Sequence, residues 1–205
     1  MTKLWASLAA LAVIAVVGGT AWSVLNRGSD PFASCRQSQI AGGADTIGGP
    51  FELVDQTGKT VTDKDVITKP TLVYFGYTFC ADVCPVDNAR NAEVTDILEE
   101  RGIDVTPVFI TVDPKRDTTQ VMADYVANMH PRMIGLTGSA YQIAAATRAY
   151  KVYFKANEGD PDFYLVDHTT FTYLMLPGRG FADFYRREAT PDQMAESVSC
   201  FVGAA

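Results

Sequence analysis

Residues 71–85 read TLVYFGYTFCADVCP: a run rich in β-branched and aromatic residues, then two cysteines four positions apart, then a proline. Thr71 to Tyr77 has the composition of a strand buried on both faces. Pro85 to Arg101 follows with Ala89, Ala92, Val94, Ile97 and Leu98 at roughly helical spacing, and Gly102 ends it. The cysteines therefore stand at a strand-to-helix junction, at the carboxyl end of a strand, where α/β folds build their clefts.

Reading outward, Phe51–Val54 is a short strand candidate before the turn-forming Asp55–Lys59. Val105–Val112 is a second buried strand, weakened at its start by Pro107. Helices are predicted over Thr118–Met129, stopped before Pro131, and over Ser139–Tyr150. Strands follow at Lys151–Lys155, Phe163–Val166, Phe171–Leu176 and, after the Pro177-Gly178 turn, Phe181–Tyr185. Pro191 to about Phe201 closes the chain as a helix, with Thr190 as N-cap and Pro191 in the first turn. This order implies an α/β sandwich with a mixed sheet, formed by residues 50–205.

The 205 residues are 47% hydrophobic and 20% charged, the range of a packed globular chain rather than a disordered one. The net charge of -7 argues against nucleic acid as a partner, because phosphate binding needs a cationic face. Leu4 to Leu25 carries no charge and is long enough to cross a bilayer. Its tryptophans, Trp5 and Trp22, are the only two in the protein. On a helix they would lie ~25 Å apart, near the two lipid–water boundaries. A single membrane anchor over residues 1–25 is expected. The alternative is a signal peptide cleaved near Gly19 and Ala21, but the apolar run exceeds the ~7–15 residues of a signal core. Residues 26–49, with NRGSDP and AGGADTIGG, read as a flexible linker.

Four cysteines (Cys35, Cys80, Cys84, Cys200) and two histidines (His130, His168) limit where thiol or metal chemistry can reside. A helix N-terminus lowers a thiol's pKa, and the i, i+4 spacing can put both sulfurs on one face of a helical turn. The spacing of Cys80 and Cys84 is one residue wider than the C-x-x-C of dithiol oxidoreductases, a bite suited to two thiolates gripping one soft metal ion: copper(I), zinc or iron–sulfur. Thr78 stands one position too near Cys80 for a peroxidatic T-x-x-C. His168, in YLVDHTTF, precedes the strand Phe171–Leu176. In a thioredoxin-type topology the loop entering that strand faces the cysteine loop. Cys80, Cys84 and His168 would then form a Cys₂His set able to hold copper in either oxidation state. Asp167 either orients the imidazole or ends its strand; the second is preferred.

The chain resembles the Sco/SenC family in YFGYTFCADVCP (Tyr74 to Pro85), VDPKRDT (Val112 to Thr118), GLTG (Gly135 to Gly138) and YLVDHTTFTYL (Tyr164 to Leu174). The resemblance implies a thioredoxin-like fold and a copper chaperone rather than an enzyme, with copper(I) or copper(II) on Cys80, Cys84 and His168. It implies delivery to the binuclear copper A centre of cytochrome c oxidase subunit II, with other periplasmic copper carriers as further partners. The setting is then a bacterial inner membrane, crossed once, with the folded domain in the periplasm. Three positions depart from the family pattern: Ala81 stands where Pro is usual, Phe79 where His is common, and Thr119 where Pro often follows. None removes a ligand. The alternative function is a thiol–disulfide reductase or redox sensor using the Cys80/Cys84 dithiol, which would not need His168.

Within VDPKRDT, Asp113-Pro114 reads as a turn, and Asp117 or Thr118 as the cap of the next helix. Cys35 and Cys200 either form a structural disulfide in an oxidising compartment or remain two thiols that never meet. His130, at a helix end before Pro131, is expected to complement the helix dipole or lie on the surface. The tyrosines and phenylalanines are read as core.

Overall fold

The computed structural model describes residues 16–20, 22, 32–36, 38, 43, 46–160 and 162–205. The anchor expected over 1–25 and the linker over 26–49 lie, apart from the few residues just given, outside the described residues. No helix of the described residues is long and apolar enough to cross a membrane. Cys35–Ala205 forms one compact unit and residues 1–34 another.

The larger unit runs β1 (Glu52–Asp55), β2 (Thr60–Thr62), α1 (Asp63–Val66), β3 (Thr71–Gly76), α2 (Val83–Glu100), β4 (Thr106–Thr111) and α3 (Thr119–Met129). It continues with β5 (Ile134–Thr137), α4 (Ala140–Ala149), β6 (Phe154–Ala156), β7 (Val166–His168), β8 (Thr172–Leu176), β9 (Gly180–Tyr185) and α5 (Pro191–Ala204). Seven strands form one sheet in the order β2-β1-β5-β4-β3-β8-β9. β3, β4 and β5 are parallel; β1, β2, β8 and β9 join them antiparallel. This is the mixed α/β sheet of a thioredoxin-like fold.

Every residue of β3 is buried, as its unbroken apolar composition requires of a central strand covered on both faces. α2 packs on β3, β4 and α5; α3 packs on β5, and α4 on β1. Pro107 is tolerated because β4 pairs with β5 only from Val108 onward, so the missing N–H costs no bond on that side. Ser139 and Thr190 cap α4 and α5 by accepting the N–H of Gln142 and Gln193.

The sequence pattern misses β2 and α1, both too short to show a period. It also places two strands at Lys151–Lys155 and Phe163–Val166 that form instead at Phe154–Ala156 and Val166–His168. These pair only with each other, as a separate two-stranded sheet.

The compact unit also begins ahead of Pro50. Cys35 is disulfide-bonded to Cys200, with Cα atoms 5.6 Å apart. Arg36 Nε donates to the Ala182 carbonyl (3.1 Å), and the Ser38 hydroxyl donates to the Asp183 carboxylate. The Gly48 N–H donates to the Ala149 carbonyl (3.0 Å). Partners distant in sequence thus tie Cys35, Arg36, Ser38 and Gly48 to the domain.

Candidate metal centre

The cysteine loop leaves β3 at Gly76, and three features fix its course. Gly76 is the first. A Cβ there would lie 2.9 Å from the Phe109 ring, 2.9 Å from the Tyr74 ring and 3.0 Å from Cys84 Sγ, so only glycine lets that sulfur settle on the strand. Asp117 is the second. Its buried carboxylate accepts the Thr78 N–H (3.0 Å), the Thr78 hydroxyl (2.5 Å) and the Thr111 hydroxyl (2.5 Å). Burial pushes its pKa up, against these bonds, which lower it. Thr118, not Asp117, caps α3. Asp117 pins the loop two residues before Cys80, a role its sequence position does not reveal. The third is Cys80 itself: the Cys84 N–H donates to Cys80 Sγ (3.3 Å). Cys80 precedes the helix, whose N-cap residue is Asp82, so the two sulfurs do not share a helical turn as the spacing suggests. The first thiol satisfies an orphan N–H of the helix that carries the second.

His168 is the last residue of β7 rather than a loop residue, and lies opposite Phe154 of β6. Its Nδ1 is 3.0 Å from the Thr169 carbonyl, which can only accept. The ring proton therefore sits on Nδ1, and the Nε2 lone pair faces Cys84 Sγ at 3.3 Å. Tyr77 and Tyr74 hold the imidazole edge-on, with ring centroids 5.8 and 6.2 Å away. Asp167 does not orient the ring; it is exposed and accepts from Asn157 Nδ2 (3.4 Å).

Cys80, Cys84 and His168 thus converge, with one ligand atom from each lying within 4.8 Å of the others. An ion bonded at ~2.0–2.3 Å to three donors in a plane needs them ~3.5–4 Å apart, so the fit requires only small adjustments of the donor spacings. Cys80 and Cys84 are free thiols, and the site opens to a cleft lined by Tyr77, Ala81, Val83 and Leu165. Burial pushes the Cys84 thiol pKa up, with the neighbouring Cys80 adding to it. The lowering expected at a helix N-terminus is outweighed by loss of water. Burial also lowers the His168 pKa, keeping the imidazole neutral and able to ligate. Below the site the Tyr74 hydroxyl donates to Asp87 (3.0 Å), which also meets Arg90 and Arg187.

His130 stays apart from this centre. It is buried, its Nδ1 accepts the Arg132 N–H (3.1 Å), and its Nε2 faces Asp96 at 3.2 Å. The surface placement is thereby corrected: a Pro131 turn folds the ring under its own backbone. Most tyrosines and phenylalanines are core, but Phe79, Tyr141, Tyr153 and Phe163 are exposed.

The family profile SCO1/SenC matches residues 40–203. Protein SenC of Rhodobacter capsulatus is 54% identical over 97% of this chain and 90% of its own length. The crystal structure of Arabidopsis thaliana ScoI with copper bound is 43% identical, covers 77% of this chain and 99% of its own, and superposes with a TM-score of 0.73. The structure of Bradyrhizobium japonicum ScoI with copper bound is 40% identical over 75% of this chain and 98% of its own, with a TM-score of 0.68.

Proposed function

Because the chain belongs to the SCO1/SenC family, we propose that it carries copper on Cys80, Cys84 and His168 and delivers it to the binuclear copper A centre in subunit II of cytochrome c oxidase. The observation that carries this reading is the convergence of two free sulfurs and one imidazole Nε2 within 4.8 Å. The copper-bound structures of relatives at 43% and 40% identity support it.

Copper is the cargo, and the chain's own residues load and release it. Two soft thiolates favour copper(I), and the borderline imidazole extends the set to copper(II). Burial holds the Cys84 proton in place until a metal ion displaces it, so loading releases protons. The Thr169 carbonyl fixes the tautomer that ligates through Nε2, leaving His168 nothing to rearrange. Release follows as exchange: thiolates of the acceptor enter from the open cleft and displace the three donors one at a time.

The uncharged run Leu4 to Leu25 and its two tryptophans support a single inner-membrane anchor. The folded domain then stands in the periplasm, beside the oxidase and other copper carriers. A disulfide between Cys35 and Cys200 suits that oxidising compartment.

The test is His168→Ala in the full chain. Copper(II) binding is expected to weaken sharply, while both thiols remain titratable and the fold is retained. Copper(II) held as tightly as in the parent would overturn the ligand assignment. Dithiol exchange is a second reading, favoured by two free thiols whose sulfurs lie within 4.8 Å of each other. It predicts full reductase activity in the same variant.

A further inference from the structure

The three donors come from two separate pieces of structure. Cys80 and Cys84 belong to the loop between β3 and α2, anchored to the seven-stranded sheet. His168 belongs to the β6–β7 hairpin, whose three-residue strands pair with no strand of that sheet. Two-stranded ribbons of this length are marginal by themselves. Val166 is buried in the core, and Phe154 and Tyr164 pack against that core. Something must fix the rest of the hairpin at the distance the site needs.

Arg116 lies between the two pieces. Its guanidinium carbon is 3.7 Å from the ring centroid of Tyr164, four residues before His168. It is 4.7 Å from the ring centroid of Phe79, the residue before Cys80, and 5.7 Å from that of Tyr77. The rings of Phe79 and Phe163 meet edge to face at 6.0 Å, bridging the same gap. The Asp113 carboxylate orients the group. It pairs with Arg116 Nε and accepts the Tyr164 hydroxyl at 2.7 Å. The terminal nitrogens of Arg116 are buried and have no hydrogen-bond partner, so the ring faces are what remain to them.

We propose that Arg116 is a positioning residue, clasping the loop that carries Cys80 and Cys84 to the hairpin that carries His168. The inference rests on the copper reading, and it places the Arg of VDPKRDT at the site without touching the metal. Lysine is no substitute, because an ammonium has no plane to lie on two rings.

The experiment follows the rate at which EDTA strips copper(II) from the anaerobic full chain, with circular dichroism as a check on folding. Arg116→Lys and, from the other side of the gap, Phe79→Leu should each speed copper(II) loss by about tenfold, the change expected when a desolvated cation–π contact is lost. In a His168→Ala background, Arg116→Lys should then change the rate by less than about twofold, since a clasp acting through His168 has nothing left to position. Phe79→Leu leaves the Asp113–Arg116 pair intact and decides the matter if Arg116→Lys disturbs the fold. If His168→Ala speeds the loss but Arg116→Lys and Phe79→Leu do not, the clasp is wrong and the ligand set stands. If Arg116→Lys acts equally with and without His168, the clasp is likewise wrong. If His168→Ala itself leaves the rate unchanged, the copper reading fails and the clasp fails with it.

Discussion

Gly76→Ala links the packing of this domain to its chemistry. The added methyl would meet the Tyr74 and Phe109 rings at 2.9 Å, closer than real carbon contacts allow, and Cys84 Sγ at 3.0 Å, a tight contact. Neither ring can yield. Both residues are fully buried; Tyr74 donates to Asp87 at 3.0 Å, and Phe109 stacks on Tyr125 with centroids 4.7 Å apart. The smallest of the three neighbours is the Cys84 side chain, and displacing it takes the sulfur away from Cys80 and His168. Overpacking a tight core costs about 1–3 kcal/mol. Stiffening the unfolded chain returns about 0.4–1 kcal/mol of that. The expected net loss is therefore between about 0 and 2.6 kcal/mol, read by urea unfolding of the full chain. A weakened thiolate charge-transfer band in the copper(II) form should accompany it. A variant with unchanged stability and an unchanged band would refute the claim that Gly76 makes room for the sulfur.

Replacing Cys35 and Cys200 by Ser opens a crosslink spanning 165 residues. Chain entropy sets the loss at about 5 kcal/mol as an upper bound and measured cases run about 2–5; a urea midpoint unchanged from the oxidised parent would show that the crosslink does not contribute. Asp117→Ala leaves the Thr78 N–H and the Thr111 hydroxyl without their acceptor. A loss of about 2–4 kcal/mol is expected, together with faster amide exchange across residues 77–82, and native-like exchange there would contradict the anchoring role. His168 should titrate below its ordinary value of 6.5 in the reduced apo protein, since burial disfavours the imidazolium. The unfolded chain then takes up that proton first as pH falls, so the His168 contribution to stability is complete above 6.5 and declines below it. An imidazole NMR midpoint above 6.5 would reverse that sign.

The sequence carries the sheet's centre well, because β3 and β4 are long apolar runs and α2 and α4 show helical spacing or caps. It carries less of the periphery. β2, α1, β6 and β7 span three or four residues, too few for any period, and hairpin register depends on partners elsewhere in the chain. Cys80, Cys84 and His168 stand out because soft donors are scarce here and recur in recognisable motifs. Asp117 and Arg116 do not stand out: each sits in a motif whose local reading, a turn followed by a cap, explains it without any distant partner. Their partners, Thr78 for one and Phe79 and Tyr164 for the other, come from other loops. The raised Cys84 pKa is hidden for a related reason. Helix position is visible in sequence, but the depth of burial that outweighs it is not.

X-ray absorption at the copper edge of the loaded full chain tests the ligand set most directly. Two sulfurs and one imidazole nitrogen at ~2.0–2.3 Å are expected, with the nitrogen scattering lost in His168→Ala. A first shell without sulfur, or one unaltered by that substitution, would contradict the account.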